Sequence, residues 1–190
     1  MTPAAIVVVG ASAGAVEALS AILPALPSTF RPPVVVVVHM GPRDRGLLPE
    51  LFGSRCALNV KEASDKEPLQ PGTIYFAPAD YHLLIEREGT LALSSDELVN
   101  FSRPSIDVLF DSAAELSGPP VAALVLSGAN ADGASGARAI FDRGGVVMVQ
   151  SPETSYCDVM PKAAIERCPG ARVIALPAIA GQLLRWSETC

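Results

Sequence analysis

The amino-acid sequence predicts an α/β fold, a doubly wound three-layer sandwich with a mostly parallel sheet and one antiparallel hairpin. Short apolar runs such as residues 4–9, 34–38 and 121–126 are typical of strands that are buried on both faces of a parallel sheet. Segments with helical spacing of apolar residues separate these runs, and this alternation favours parallel crossovers. Residues 82–86 and 90–94 are predicted to form the hairpin.

The other elements follow from the same alternation and from the residues that stop each segment. A predicted helix at residues 13–23 ends at Pro24, because proline removes a backbone donor and clashes with the preceding turn. The predicted helix at 104–116 has Pro104 near its start and Gly118 just past its end, as helices commonly do. The remaining predicted strands are residues 58–63, 74–77, 146–149 and 173–176, and the remaining predicted helices are residues 47–52, 133–143, 161–167 and 179–186.

The composition favours one domain and disfavours several kinds of function. A chain of 190 residues is long enough for one buried core, so residues 1–190 are interpreted as a single domain. The Lys and Arg residues are scattered and the net charge is -6, which disfavours a nucleic-acid partner. No apolar run approaches the roughly 20 residues of a membrane span, and no secretory signal is recognisable, so we expect a cytoplasmic protein. The cysteines lack metal-binding spacing, and nothing implies a metal or an organic cofactor.

Ser12 lies in the sequence GASAG, residues 10–14, at the predicted junction of the first strand and the first helix. This pattern matches the G-x-S-x-G nucleophile elbow, in which a tight turn exposes a serine hydroxyl beyond the edge of the sheet. The backbone N–H of Ala13, at the start of the helix, is the natural donor to a developing oxyanion. The alternative is a glycine-rich turn that only connects strand to helix or binds a phosphate.

His39 directly follows the second buried strand, at residues 34–38. Residues just past the ends of parallel strands meet at the same edge of the sheet, so we expect His39 to lie near Ser12. A dinucleotide-binding fold would place an acidic residue at this position and the spacing GxGxxG after the first strand, and both are absent. A purely structural histidine is the remaining alternative.

Asp132, in SGANADGASG at residues 127–136, follows the buried strand at 121–126. A carboxylate at this edge can accept a hydrogen bond from the imidazole and stabilise the imidazolium. Its alternative role is to cap the predicted helix that follows it. Asp80, Asp107 and Asp111 are less favourably placed, because the first lies in a loop near the hairpin and the other two lie within a predicted helix.

Several collinear motifs resemble the CheB-type methylesterase domain of bacterial chemotaxis, and they extend from Ile6 to the last predicted helix. They are VVGASAG (8–14), VVVVHMGP (35–42), IYFAPADYHLLI (74–85), FSRPSIDVLFDSAA (101–114), LSGANADG (126–133) and SPETSYCDVMPKAAIE (151–166). The resemblance implies that Ser12 is the nucleophile, His39 the general base and Asp132 the orienting acid. It implies hydrolysis of glutamyl γ-methyl esters on chemoreceptors, and deamidation of certain glutamines.

Three further residues are assigned to the oxyanion or substrate contacts: Ala13, Ala129 and Arg103. For Arg103 a contact with substrate or receptor and a plain ion pair at the helix start are both open, whereas His82 is interpreted as structural. The chain departs from the family at two places. Ala13 stands where threonine is common, and the pattern LTGMGxDG becomes LSGANADG, so Ala129 and Asn130 replace a methionine and a glycine.

The resemblance also sets expectations for regulation and partners. The family commonly has a receiver domain before the catalytic domain, and the first predicted strand begins too early for one here. We therefore expect either that this chain is not gated by a receiver of its own or that it belongs to a larger assembly, such as a fusion with a methyltransferase. The expected partner is a methylated chemoreceptor. A methyltransferase or another signalling domain is a further candidate partner. Two other functions stay open at this point: a catalytically weak relative that binds a receptor or signalling protein, and a small-molecule esterase.

Overall fold

The computed structural model describes residues 4–39 and 47–190. Nine strands and six α-helices are assigned within these residues. The strands are β1 Ile6–Ala11, β2 Val34–Val38, β3 Asn59–Glu62, β4 Thr73–Phe76, β5 His82–Ile85, β6 Leu91–Ser94, β7 Val121–Val125, β8 Val146–Gln150 and β9 Arg172–Ile174. The helices are α1 Ala15–Ile22, α2 Leu47–Gly53, α3 Ile106–Ala114, α4 Ala134–Asp142, α5 Val159–Arg167 and α6 Ile179–Ser187.

Seven strands form one parallel sheet in the order β3-β4-β2-β1-β7-β8-β9. The central strand β1 pairs with β2 on one side and with β7 on the other, so the direction of the crossovers reverses at β1. Ligands of doubly wound folds commonly bind at such a switch point, beyond the carboxyl ends of the strands. The predicted three-layer fold with its parallel sheet is confirmed.

The antiparallel hairpin is also confirmed, and it forms a separate two-stranded sheet of β5 and β6. It packs against α3, where the backbone N–H of Ile85 donates a hydrogen bond to Oγ of Ser112 at 3.0 Å. The hairpin therefore extends the layer of α3 and leaves the main sheet entirely parallel.

The sheet separates two hydrophobic clusters because successive side chains of a strand point to opposite faces. In β1, Val7 and Val9 face the cluster formed with α1 and α6. Ile6 and Val8 face the cluster formed with α3, α4 and the hairpin. Both faces of the inner strands are buried, which explains why these strands are continuous apolar runs.

The predicted helix bounds differ from the observed ones by one or two residues. The first helix begins at Ala15 instead of residue 13 because Gly14 has a φ of 82°, a left-handed conformation that a helix cannot contain. Similarly, Gly133 has a φ of 94° and precedes α4, which begins at Ala134. No helix in the described part of the chain is long and apolar enough to span a bilayer.

Gly136 provides a test of the packing between α3 and α4. A Cβ atom at this position would overlap Cβ of Phe110 and lie 3.1 Å from the carbonyl oxygen of Asp107. We therefore expect Gly136→Ala to lower the free energy of unfolding by about 1–3 kcal/mol, the usual cost of overpacking. Urea denaturation followed by circular dichroism measures this change.

The matched control is Gly53→Ala at the end of α2, where nothing lies within 4 Å of an added Cβ atom. Since alanine favours helix over glycine, this variant should be as stable as the native protein or slightly more stable. Equal stability of the two alanine variants would contradict the close approach of α3 to α4.

Candidate active site

The three predicted site residues all follow the carboxyl ends of adjacent strands. Ser12 comes directly after β1, His39 directly after β2, and Asp132 lies in the loop between β7 and α4. The backbone N–H of Ser12 donates to the carbonyl oxygen of Ser127 at 2.9 Å. The backbone N–H of His39 donates to the carbonyl oxygen of Ala11 at 3.1 Å. These bonds continue the pairing of the strands and bring the three segments to one edge.

A short hydrogen bond joins His39 to Asp132. The distance from Nε2 of His39 to Oδ2 of Asp132 is 2.7 Å, and the two residues are 93 positions apart in the sequence. The carboxylate of Asp132 is buried, whereas 11% of the His39 side chain is exposed. The imidazole therefore bridges the buried carboxylate and the open edge of the sheet.

Asp132 accepts four further hydrogen bonds besides the one from His39. These come from Nδ2 of Asn100 at 2.8 Å, Oγ of Ser105 at 2.8 Å, N of Ile106 at 2.6 Å and N of Asp107 at 3.1 Å. Burial by itself raises the pKa of this carboxyl, but the donors, led by His39 and Asn100, outweigh burial and lower the pKa to about 2. Asp132 is thus an ionised acceptor at neutral pH.

The structure corrects the capping role that the sequence suggested as the alternative for Asp132. Gly133 occupies the N-cap position of α4, and no side chain caps that end. Asp132 instead accepts from the first two N–H groups of α3, at Ile106 and Asp107. The carboxylate caps a helix distant in sequence, where free N–H groups and the helix dipole favour a negative charge.

Asn130 contacts the other nitrogen of the imidazole. Its Oδ1 accepts from the N–H of Asp132 at 3.1 Å, and its Nδ2 lies 3.4 Å from Nδ1 of His39. Because the ionised Asp132 accepts from Nε2, the proton of a neutral imidazole is on Nε2 and the lone pair is on Nδ1. The amide of Asn130 therefore faces the lone pair of the ring.

The turn that contains Ser12 is held by residues that follow β7 and β8. Oγ of Ser127 donates to the carbonyl oxygen of Ala13 at 2.6 Å. Tyr156 lies against Gly14, because a Cβ atom added to Gly14 would lie 2.5 Å from Cβ of Tyr156. Ser12 is half-buried, and within the described residues its Oγ makes no hydrogen bond and the N–H of Ala13 has no partner. Ala129 is exposed in the loop after β7.

Arg103 forms the ion pair that was one of its two predicted roles. Its Nε and Nη2 donate to Oδ1 of Asp80 at 3.1 and 2.7 Å. Its Nη1 donates to the carbonyl oxygens of Ser95 and Asp96 at 3.0 and 2.9 Å. These contacts tether the segment before α3 to the loop after β4, and a contact with substrate stays a prediction.

His82 has the structural surroundings that the sequence suggested. Its ring is buried, Nδ1 accepts the N–H of Ser105 at 3.1 Å, and Nε2 lies 2.9 Å from the carbonyl oxygen of Glu97. Since a backbone N–H is always a donor, Nε2 carries the proton and donates to Glu97. His82 therefore supports Ser105, which is itself a donor to Asp132.

The sequence did not identify Asn100 or Asn130 as site residues. Asn100 precedes a predicted helix by a few positions, and its link to Asp132 spans 32 residues, so no local pattern points to it. Asp107, a competitor on residue type, accepts from Asn100 at 2.8 Å and from the N–H of Gly136 at 2.7 Å. Burial, together with the nearby charge of Asp132, raises the pKa of Asp107.

The structure assigns no metal centre to the described residues, where no group of three or more His, Cys, Asp or Glu side chains is arranged to hold an ion. Residues 40–42, which complete the motif VVVVHMGP after His39, lie outside the described residues.

Comparison with known proteins places this chain in a family. A family model described as CheB methylesterase matches residues 7–183. The crystal structure of the Thermotoga maritima CheB methylesterase catalytic domain superposes with a TM-score of 0.91 at 35% sequence identity, and it covers 98% of this chain and 99% of that one.

Curated relatives agree with this match. A Geobacter metallireducens protein named protein-glutamate methylesterase/protein-glutamine glutaminase 3 is 38% identical over 183 residues, which are 95% of this chain and 51% of that protein. A Leptospira interrogans protein with a provisional name of the same kind is 43% identical over 182 residues, 96% of this chain and 94% of that protein. The chain thus spans about half of the first relative and nearly all of the second.

The low pKa of Asp132 predicts a stability change in acid. Because the pKa of about 2 in the folded protein lies below the ordinary value of 3.8, ionised Asp132 stabilises the fold above about pH 4, and this contribution is lost as the pH falls toward 2. Asp132→Asn should remove about 2 kcal/mol of acid-sensitive stability. Denaturation of both proteins between pH 2.5 and 7 measures the difference between their free energies of unfolding.

We expect this difference to be largest at neutral pH and to shrink as the pH is lowered. Asp142→Asn is the matched control, because Asp142 pairs with Arg138 on an exposed helix surface and contributes little. A difference between native protein and Asp132→Asn that stays constant over the whole pH range would contradict the assigned ionisation.

Proposed function

This chain belongs to the CheB methylesterase family, since the family model spans residues 7–183, and from that membership we propose that it is a serine hydrolase of methylated chemoreceptors. The proposed reaction releases methanol from the γ-methyl ester of glutamyl side chains in the cytoplasm, and the same site deamidates glutamines. The main support is the hydrogen bond of 2.7 Å between His39 and Asp132, at the same sheet edge as the turn of Ser12.

In the first half of the proposed reaction, Ser12 attacks the ester carbonyl. Its Oγ proton passes to Nδ1 of His39, because Nε2 is committed to the carboxylate of Asp132. The resulting tetrahedral intermediate carries its negative charge on the former carbonyl oxygen. We propose that the backbone N–H groups of Ala13 and Ala129 stabilise this oxyanion.

The intermediate then collapses to an acyl-enzyme. The bond from carbon to the methoxy oxygen breaks, and that oxygen takes the proton from His39 and leaves as methanol. Water attacks the acyl-enzyme with His39 again acting as the base, and the glutamate carboxylate and free Ser12 are restored. A glutamine substrate would pass through the same intermediate and release ammonia instead.

The contribution of Asp132 in this mechanism is electrostatic. Each transfer of a proton to Nδ1 makes His39 a cation, and the ionised carboxylate at Nε2 stabilises that cation. The pKa of about 2 keeps Asp132 charged throughout the neutral range. Its further donors hold it in position, so little reorganisation is needed when the charge on His39 develops.

Asn130 gives this mechanism a feature that the family pattern lacks. Its Nδ2 lies 3.4 Å from the lone pair that must accept the proton of Ser12. Once Nδ1 carries a proton, the amide and the imidazolium are both donors and repel each other. We therefore expect the side chain of Asn130 to turn away from His39 during each acylation.

Replacement of Ser12 provides the direct test. Ser12→Ala removes the nucleophile, and we expect methanol release from a methylated chemoreceptor to fall by about 10³-fold or more. To check this expectation, methanol release from the receptor is measured for the native protein and the variant at equal concentration. The native protein should also react with a serine-directed phosphonate, and the variant should not.

Ser20→Ala is the matched control, because Ser20 lies in α1 on the same chain segment but away from the turn. It should keep both the methanol release and the phosphonate reaction. Equal rates of methanol release by native protein and Ser12→Ala would remove the nucleophile assignment. A native protein that neither releases methanol from the receptor nor reacts with the phosphonate would remove the hydrolase assignment.

A further inference from the structure

A small hairpin beside the candidate site, residues 98–103, exposes apolar side chains. Phe101 is 99% exposed, and Leu98 and Val99 on the same hairpin are 58% and 37% exposed. Single exposed apolar residues are common on protein surfaces, but here three of them lie within four consecutive positions. We call residues 98–103 the docking hairpin.

The tip of the docking hairpin has a backbone conformation that does not suit phenylalanine. Val99 and Ser102 exchange two backbone hydrogen bonds, at 3.1 and 2.9 Å, which closes a two-residue turn. Asn100 and Phe101, between them, have φ values of 51° and 61°. Turns with two positive φ values favour Asn at the first position and Gly at the second, so Phe101 carries strain that glycine would not.

The position of Phe101 is fixed relative to the catalytic groups. Nδ2 of Asn100 donates to Oδ1 of Asp132 and to Oδ2 of Asp107, each at 2.8 Å. On the other side of the tip, Arg103 is bound to Asp80. The exposed ring is therefore one residue away from a side chain that contacts Asp132 directly, and both ends of its turn are anchored.

An open groove of about 680 Å³ lies between the docking hairpin and α5. Its lining includes Phe101 of the docking hairpin, Ala163 of α5, and Asn130 and Asp132 of the loop after β7. Asn130 and Asp132 belong both to the groove lining and to the candidate site, so the groove adjoins the site. The groove is larger than one glutamyl side chain needs.

We propose that Phe101 is a docking residue that contacts the polypeptide surrounding the scissile glutamyl ester, with that polypeptide lying in the groove. The inference rests on the proposed function and adds to it how a protein substrate is selected over a small ester. The occupant is a segment of the chemoreceptor, whose apolar side chains near the ester would cover the ring of Phe101. An exposed aromatic ring on a rigid support loses little entropy on binding, which is why such residues dominate many interfaces.

Two substrates with the same scissile bond separate docking from chemistry. One is the methylated cytoplasmic fragment of a chemoreceptor, and the other is N-acetylglutamate γ-methyl ester N-methylamide. For Phe101→Gly we expect kcat/KM on the receptor fragment to fall about 10- to 30-fold, as for truncation of a dominant interface aromatic. On the small ester kcat/KM should stay within about twofold.

The variants include their own controls for folding and chemistry. Phe101→Gly relieves the positive φ, so its Tm should be unchanged or up to about 4 °C higher. Phe101→Tyr keeps the ring and should keep most of the activity on the receptor fragment. Val173→Ala truncates a side chain that is 49% exposed on the edge strand β9. This variant should leave kcat/KM unchanged on both substrates.

The possible results are distinct. Unchanged kinetics of Phe101→Gly on both substrates, or an equal loss on both, would overturn the docking role. A shift from dimer to monomer in sedimentation, with unchanged kinetics, would assign the hairpin to a contact between two copies of the chain and also overturn it. Failure of the native protein to release methanol from either substrate would instead reject the proposed function.

Discussion

The buried carboxylate of Asp132 is the constraint on which the geometry of the candidate site depends. A buried negative charge is costly unless hydrogen bonds or an opposite charge compensate for it. Here the compensation comes from three separate segments: His39 after β2, Asn100 in the docking hairpin, and the start of α3. The need to satisfy one carboxylate therefore brings together parts of the chain that are distant in sequence.

This arrangement links the architecture of the fold to the proposed chemistry. The parallel sheet delivers Ser12 and His39 to one edge because β1 and β2 are adjacent and end together. The helix α3 contributes differently, since its first N–H groups bind Asp132 and keep it ionised. In the proposed mechanism, ionised Asp132 orients the imidazole through Nε2 and leaves Nδ1 to accept the proton of Ser12. A change at the start of α3 would thus alter both the stability of the helix and the ionisation of Asp132.

The sequence predicts those features of the fold and site that are determined by neighbouring residues, and it does not predict contacts between residues distant in the chain. The strand Val34–Val38 and the site position of His39 after it follow from a short apolar run and from the rule for parallel strands. The partners of Asp132 could not be predicted this way, because Asn100 is 32 residues away and Ile106 is 26 residues away. For the same reason local reasoning left open a capping role for Asp132 at α4, whereas the folded chain uses Asp132 to cap α3. Non-local contacts of this kind appear only when the layers pack.

In the proposed docking role, the same anchoring of residues 98–103 would also serve selectivity. Asn100 suits a left-handed turn and compensates two buried carboxylates, so its position is accounted for by the site itself. Phe101 compensates nothing in the fold and would be replaced by glycine without loss if stability alone mattered. Strain at a residue without a structural partner is most simply explained by a contact outside the fold. Since Asn100 holds that residue at a fixed place relative to Asp132, a substrate segment that contacts the ring would also be positioned relative to the proposed catalytic residues.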